Sequence, residues 1–376
     1  MVNPIQKLHD TGQSLWYDNI QRRLLVSGEL EEMITRGDIR GVTSNPAIFN
    51  KAITNSDDYD AALSSLAHSE LSTEQIFYRL AVEDIRAAAD LFIPLYQESN
   101  RGDGYVSLEV DPYLADDSEA TVTEAKRLWE MIGRPNLMIK IPATKGGIPA
   151  IAQAIAAGIN INVTLIFSRK RYAEVMNAYM RGLEQRIQYG LPIDTIASVA
   201  SFFVSRVDTK VDARLQEISK KSDRRNEQLV TLYGKAAIAN ARLAYKQFLD
   251  TFNTQRFREL KKQNARLQRP LWASTSTKNP AYRDVLYVEE LIGPDTVNTV
   301  PPHTLEAFRD HGEVRLSLQE DIEKAQHVLK SLEALGISVD QVTHELEEEG
   351  VKAFADAYTT LLKAIERQYT SVLTRA

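Results

Sequence analysis

No cysteine occurs anywhere in the 376-residue chain. That absence alone excludes disulfides, thiolate metal sites and a catalytic thiol, and it fits a reducing compartment. An unbroken apolar run is missing too. The most apolar long stretch, IPAIAQAIAAGININVTLIF (148–167), is interrupted by Gln153, Gly158, Asn160, Asn162 and Thr164. It is too polar to span a bilayer and is better cut into a helix and a strand. The first residues, MVNPIQKLHDTGQSLW, lack the charged start and apolar core of a secretory signal, so a cytoplasmic protein is expected. Excess positive charge is also absent: the net charge is −6 and the pI about 5.7, leaving no electrostatic footprint for nucleic acid or an anionic membrane. The local basic stretches KKSDRRN (220–226) and RFRELKKQNARLQR (256–269) have helical spacing, acidic neighbours and few stacking aromatics. Both are expected to be solvated helix faces, as is the acidic HELEEEG (344–350).

Histidine is scarce and scattered. The six (His9, His68, His303, His311, His327, His344) include none at i, i+3 or i, i+4, which disfavours a metal site and a serine–histidine triad alike. Only His303, just past the last candidate strand, sits near a strand end. No cofactor and no metal are expected.

With 43% hydrophobic residues the chain can bury a large core, and it exceeds the roughly 250 residues of a plain barrel. Eight strand-like runs punctuate it: SLWYD (14–18), GVTSN (41–45), YVSLEV (105–110), LMIKI (137–141), INVTLIF (161–167), IASVASFF (196–203), PLWAST (270–275) and TVNTV (296–300). Helical periodicity fills the gaps, as in SGELEEMITRG, EATVTEAKRLWEMIG and RKRYAEVMNAYMRGLEQRIQ. Alternation of strand and helix implies a parallel sheet, and no GxGxxG turn follows any strand. The pattern therefore predicts an α/β protein, a single (β/α)₈ barrel domain over 1–376 with helical insertions at about 51–100 and 209–266.

Side chains along a strand alternate between faces, so parity sorts them. In GININVTLIF, Asn160, Asn162 and Thr164 oppose Ile159, Ile161, Val163 and Leu165. Ser107 and Glu109 likewise oppose Val106, Leu108 and Val110, and Met138 and Lys140 oppose Leu137, Ile139 and Ile141. Trp16 pairs with Asp18, Thr43 with Asn45, and Ser201 with Phe203. On one strand such a polar face would simply meet water. On several strands of one barrel, with helices covering the apolar faces, the polar faces converge on the C-terminal mouth where catalytic groups collect.

Within that set Lys140 needs an explanation, because NLMIKIPATKGG (136–147) places it in an otherwise apolar run. It could snorkel from a strand edge, pair with a carboxylate, or be a desolvated amine kept for covalent chemistry. A desolvated amine is nucleophilic in larger fraction near neutrality and can attack a ketone. The imine formed is an electron sink that permits carbon–carbon cleavage, with Asp18 and Glu109 available to move protons.

Six segments, GVTSNPAIFNKAI (41–53), VSLEVDP (106–112), NLMIKIPATKGG, GININVTLIFS (158–168), VASFFVSRVD (199–208) and RPLWASTSTKNPAY (269–282), resemble in order and placement those of the longer bacterial transaldolases, members of the Schiff-base aldolase superfamily. The likeness covers nearly the whole chain. It implies that Lys140 is the Schiff-base lysine, that Asp18 is the acid/base for the substrate's C4 hydroxyl, and that Glu109 with Thr164 activates a water. Asn45 and Asn162 would bind sugar hydroxyls, and Ser201 and Arg206 the phosphate. Many shorter transaldolases carry a second arginine after the seventh strand; here Lys278 takes that place, as a point charge without the guanidinium fork. Lys145, in the loop after Lys140, is expected to be solvent-exposed. The implied reaction moves a dihydroxyacetone unit from sedoheptulose 7-phosphate to glyceraldehyde 3-phosphate, giving erythrose 4-phosphate and fructose 6-phosphate, in the non-oxidative pentose phosphate pathway. Aldolase-type relatives that release free dihydroxyacetone tend to have Gln and Tyr where this chain has Glu109 and Phe203. The partners implied are small-molecule sugar phosphates, with neither nucleic acid nor membrane, in a monomer or homodimer.

Overall fold

The computed structural model describes residues 3–66, 69–221 and 227–375. Eight strands run in chain order around a closed barrel: β1 (Gln13–Tyr17), β2 (Gly41–Val42), β3 (Tyr105–Glu109), β4 (Leu137–Pro142), β5 (Ile161–Ile166), β6 (Ser198–Phe203), β7 (Gln268–Ala273) and β8 (Thr296–Val300). Every neighbouring pair is parallel, and β8 closes on β1. Helices pack outside while side chains fill the inside, so the strand residues are buried throughout except for the half-buried Arg269. The (β/α)₈ architecture is the one the alternation predicts.

Strand ends differ from expectation for local reasons. β2 stops at Val42 rather than 45 because Asn45 caps the helix Pro46–Thr54, its Oδ1 accepting the Ile48 N–H at 3.0 Å, and Pro46 cannot extend a ladder. Gly41 is required here: a Cβ would lie 2.7 Å from the Trp16 indole. β7 begins and ends two residues early, since Ser274 turns left-handed at φ 56°. In β5 the register shifts between Val163 and Ile166, with Leu165 at φ 58°. This bulge breaks the expected parity. Leu165 does not join Val163 on the outer face but abuts Gly350, where a Cβ would sit 3.0 Å from Leu165 Cδ2.

The three helical stretches read from periodicity form, in part with visible caps. Ser168 accepts the Arg171 N–H to open Arg169–Gln188, and left-handed Gly133 closes Ser118–Ile132. The 51–100 region holds Asp60–Ser65 and the long Thr73–Glu98, which packs on β3; the 209–266 region holds most of Ser205–Lys221, then Glu227–Val230, Ala236–Phe252 and Gln255–Lys262.

Extra length also lies after β8, beyond the two expected insertions. The helix Val339–Arg375 packs against the helices Pro46–Thr54, Thr73–Glu98 and Ser205–Lys221 and against β5, and so crosses the C-terminal end of the barrel. The acidic stretch 344–350 is therefore not a plain solvated face. Glu345 pairs with Arg214 and Lys210, Glu347 with Arg171, and Glu349 with Lys210. The basic stretch 256–269 is likewise only partly a solvated helix: Arg256 grips Glu184, and Arg269 reaches from β7 to Asp103, Ser14 and the Thr296 carbonyl at the base of the barrel. Residues 222–226 of the other basic stretch lie outside the described residues. No described helix is long and apolar enough to cross a membrane.

Candidate active site

At the C-terminal mouth the strand ends surround a cavity of about 230 Å³. β4 projects Lys140 into it. The side chain is almost wholly buried, donates a hydrogen bond to the Ser44 carbonyl at 2.9 Å, and lies 3.8 Å from Glu109 Oε1. Of the three explanations for this lysine, the edge-snorkelling one is removed by its burial. Lys145, by contrast, is exposed and away from the cavity.

Two carboxylates flank the amine. Asp18 follows β1 and is held there by its own N–H to the Val300 carbonyl at 2.9 Å. Thr43 donates to its Oδ1 at 2.7 Å and in turn contacts Thr299 at 2.7 Å. Burial raises the Asp18 pKa, against the opposing pull of the Thr43 hydrogen bond and of Lys140. Glu109 ends β3, directly opposite Lys140 in the register. Desolvation pushes it up to about 7, with Lys140 opposing and Asp18 reinforcing. Both Glu109 carboxylate oxygens and the Thr164 hydroxyl are buried without a protein hydrogen-bond partner. Thr164 lines the cavity; Glu109 stands behind the lysine rather than on the wall.

Asn45 lines the cavity while its oxygen caps a helix, which leaves its NH₂ as the group able to donate. Asn162 is fully buried, outside the cavity lining, with its NH₂ donating to Ser107 at 3.1 Å and its oxygen accepting from Ser201 at 2.6 Å. It thereby holds Ser201, which lines the cavity.

The β6–β8 side carries the cations. Arg206 sits in the first turn of Ser205–Lys221, its guanidinium 5.5 Å from the Phe203 ring centre, with no ion pair within 4 Å among the described residues. Burial lowers its pKa, offset partly by Glu349. Phe203 in turn packs on Phe167 at 5.1 Å. From the β7 loop Lys278 donates to Ser276 at 3.0 Å, and from the β8 loop His303 reaches the rim, its pKa lowered by desolvation, Lys278 and Lys51. An unpaired guanidinium and an ammonium at the β6–β7 loops suit an anionic group such as a phosphate.

Several lining residues escaped the sequence reading. Ser274, Ser276, Thr299 and Pro301 follow from strand ends and were findable by parity or position. Phe354 was not: it comes from the C-terminal helix, its ring centre 5.8 Å from Lys140 Nζ, and nothing in its local pattern separates it from a core aromatic. Among the described residues no group of three or more His, Cys, Asp or Glu is placed to hold a metal ion.

A family model described as Transaldolase/Fructose-6-phosphate aldolase matches residues 15–365. A transaldolase of Thermobifida fusca (strain YX) is 48% identical over 369 residues, covering 98% of this chain and 99% of its own. A transaldolase of Trichodesmium erythraeum (strain IMS101) is 45% identical over 372 residues, covering 98% of each. Transaldolase 2 of Streptomyces avermitilis is 46% identical over 369 residues, again covering 98% of each. With a barrel whose mouth gathers a buried lysine and two carboxylates, and with relatives alike from end to end, this chain belongs to the transaldolase/fructose-6-phosphate aldolase family.

Proposed function

We propose that this barrel is a transferase that moves a three-carbon dihydroxyacetone unit between sugar phosphates through an imine on Lys140. The single observation that carries the reading is the amine itself: nearly buried, anchored by one carbonyl, 3.8 Å from a carboxylate, and facing the cavity. Lys140 attacks the donor's ketone, and the carbinolamine loses water to give the imine, with Glu109 handling the proton and Thr164 helping to hold the water. Asp18 takes the proton of the C4 hydroxyl, the C3–C4 bond breaks, and the aldehyde leaves. The electron pair stays on the three-carbon fragment, conjugated with the imine. An acceptor aldehyde then forms the new bond and takes its proton from Asp18, and water releases the product. Asn45 and Asn162 orient sugar hydroxyls, and Ser201, Arg206 and Lys278 hold the phosphate. Sedoheptulose 7-phosphate and fructose 6-phosphate are the donors that fit this reading.

The test is chemical trapping. Borohydride added with fructose 6-phosphate is expected to fix a three-carbon unit on Lys140, located by peptide mapping, and Lys140→Met is expected to abolish both labelling and transfer while the fold persists. Labelling at Lys145 instead would overturn the choice of nucleophile.

A further inference from the structure

Arg206 and Lys278 reach the cavity from different elements, the first from the helix Ser205–Lys221 and the second from the loop that leaves β7. The hydrogen bond of Lys278 goes to Ser276 of that same loop, at 3.0 Å, so the position of the loop sets that of the ammonium. Both ends of the loop are tied to the helix of Arg206. At its start the Ser205 N–H donates to the Ser274 carbonyl at 3.0 Å, and the two serine hydroxyls meet at 3.0 Å. At its end the Tyr282 hydroxyl donates to Asp212 Oδ2 at 2.5 Å, farther along the helix than Arg206. A tight turn carries this second anchor back toward the lysine: the Tyr282 N–H donates to the Asn279 carbonyl at 3.0 Å, and Asn279 Oδ1 accepts the Ala281 N–H at 2.9 Å.

We propose that Asp212 and Tyr282 form a clasp that holds the Lys278 loop at a fixed distance from Arg206, which makes both of them positioning residues for the phosphate of the substrate. The inference rests on the phosphate role given to Arg206 and Lys278 above. Neither member of the clasp lines the cavity, so each acts through Lys278. Asp212 is buried, and its other oxygen accepts the Gly234 N–H at 3.1 Å. Gly234 is left-handed at φ 65°, and a Cβ there would stand 2.8 Å from Tyr282 Cζ; the missing side chain is what lets the phenol reach the carboxylate. The phenol is the donor, because burial first, and the hydrogen bond to Asp212 next, raise its pKa. A hydrogen bond to a buried carboxylate is among the stronger ones, and a loop fixed before the ligand arrives loses no conformational freedom on binding. The same helix carries a companion bond of like chemistry: Asp208 accepts from the Tyr287 hydroxyl at 2.8 Å and from the Ala237 N–H at 2.8 Å. Tyr287 lies in Leu286–Glu289, past the end of the loop, and so provides a control.

The experiment compares Tyr282→Phe with Tyr287→Phe in the full-length enzyme, with melting temperature monitored in both and with fructose 6-phosphate or unphosphorylated fructose as donor. Each variant removes one phenolic donor from a buried aspartate that keeps its backbone N–H. Tyr282→Phe is expected to raise KM for fructose 6-phosphate about 3- to 10-fold, with kcat and the KM for fructose each within about twofold. Tyr287→Phe is expected to lower the melting temperature without a rise selective for the phosphorylated donor. Added to Lys278→Ala, Tyr282→Phe is expected to change KM for fructose 6-phosphate by less than about twofold further, because the clasp acts through that ammonium. An unmoved KM in a folded Tyr282→Phe variant, an equal rise with both donors, the same selective rise in Tyr287→Phe, or an undiminished effect in the Lys278→Ala background overturns the proposal. Lys278→Ala alone separates the two failures. If it leaves KM for fructose 6-phosphate unchanged, the phosphate role of Lys278 is refuted and the clasp with it; a selective rise there with none in Tyr282→Phe refutes the clasp alone.

Discussion

Lys140 Nζ stands 3.8 Å from Glu109 Oε1, yet its hydrogen bond goes to the Ser44 carbonyl. The lysine is held by a neutral acceptor that chemistry need not disturb, while the carboxylate beside it stays free to take or give a proton. Desolvation sets Glu109 at about 7, so near neutrality both forms are populated, as imine formation and hydrolysis each require.

That displacement makes Glu109 a pH-dependent burden on the fold. Its folded value of about 7 lies above the ordinary 4.5, so between these limits the folded chain binds a proton the unfolded chain has lost. Stability from this group is therefore highest below pH 4.5 and falls as pH rises through 7. Glu109→Gln has no such titration. Its stability relative to the unaltered protein is expected to rise between pH 5 and 8, by on the order of 2–3 kcal/mol, while kcat falls at least about 100-fold. Denaturant melts at both pH values check this; a stability difference that does not change with pH would mean Glu109 is not titrating in that range.

Phosphate affinity should follow the cations unequally. Arg206 is partly desolvated, has no ion pair among the described residues and offers a bidentate fork, whereas Lys278 has a hydrogen bond to Ser276 and offers a single charge. Arg206→Ala is expected to lose on the order of 2–3 kcal/mol in kcat/KM for phosphorylated donors, about 30- to 150-fold, mainly through KM. Lys278→Ala should lose less. Steady-state kinetics with phosphorylated and unphosphorylated donors distinguish the two; equal losses on both donor types would remove these residues from the phosphate site.

What could be read from the sequence divides along a physical line. The barrel and most of its mouth were legible because strand parity is a local, period-two signal and the polar residues sit at strand ends. Leu165 misled, since a bulge reverses parity at one residue and nothing in VTLIF announces it. Asn162 obeys parity and pairs with Lys140 in the register, yet its amide is engaged by Ser107 and Ser201, contacts that one strand's pattern does not contain. The C-terminal helix was least legible. Its acidic stretch looks solvated until Arg171, Lys210 and Arg214 of distant segments meet it, and Phe354 acquires its place only through that docking.

On the proposed imine reading, Phe203 bears on whether the fragment on Lys140 waits for an aldehyde or is released. Its ring lines the cavity, backed by Phe167 at 5.1 Å and faced by the Arg206 guanidinium at 5.5 Å, and so offers the carbanion no proton. Phe203→Tyr adds a phenol to that wall without changing the ring, and a phenol can act as a general acid toward the adduct or order a water that hydrolyses it. Protonation of the fragment followed by imine hydrolysis gives free dihydroxyacetone in place of transfer. The variant is therefore expected to raise severalfold the ratio of free dihydroxyacetone to sedoheptulose 7-phosphate formed from fructose 6-phosphate with erythrose 4-phosphate present. The neighbouring Arg206 lets the same variant report on packing: a hydroxyl that merely displaced the guanidinium would raise KM for phosphorylated donors and leave the product ratio unchanged. That second outcome, in a variant with unaltered melting temperature, would assign Phe203 to packing of the wall and the choice between transfer and release to another group.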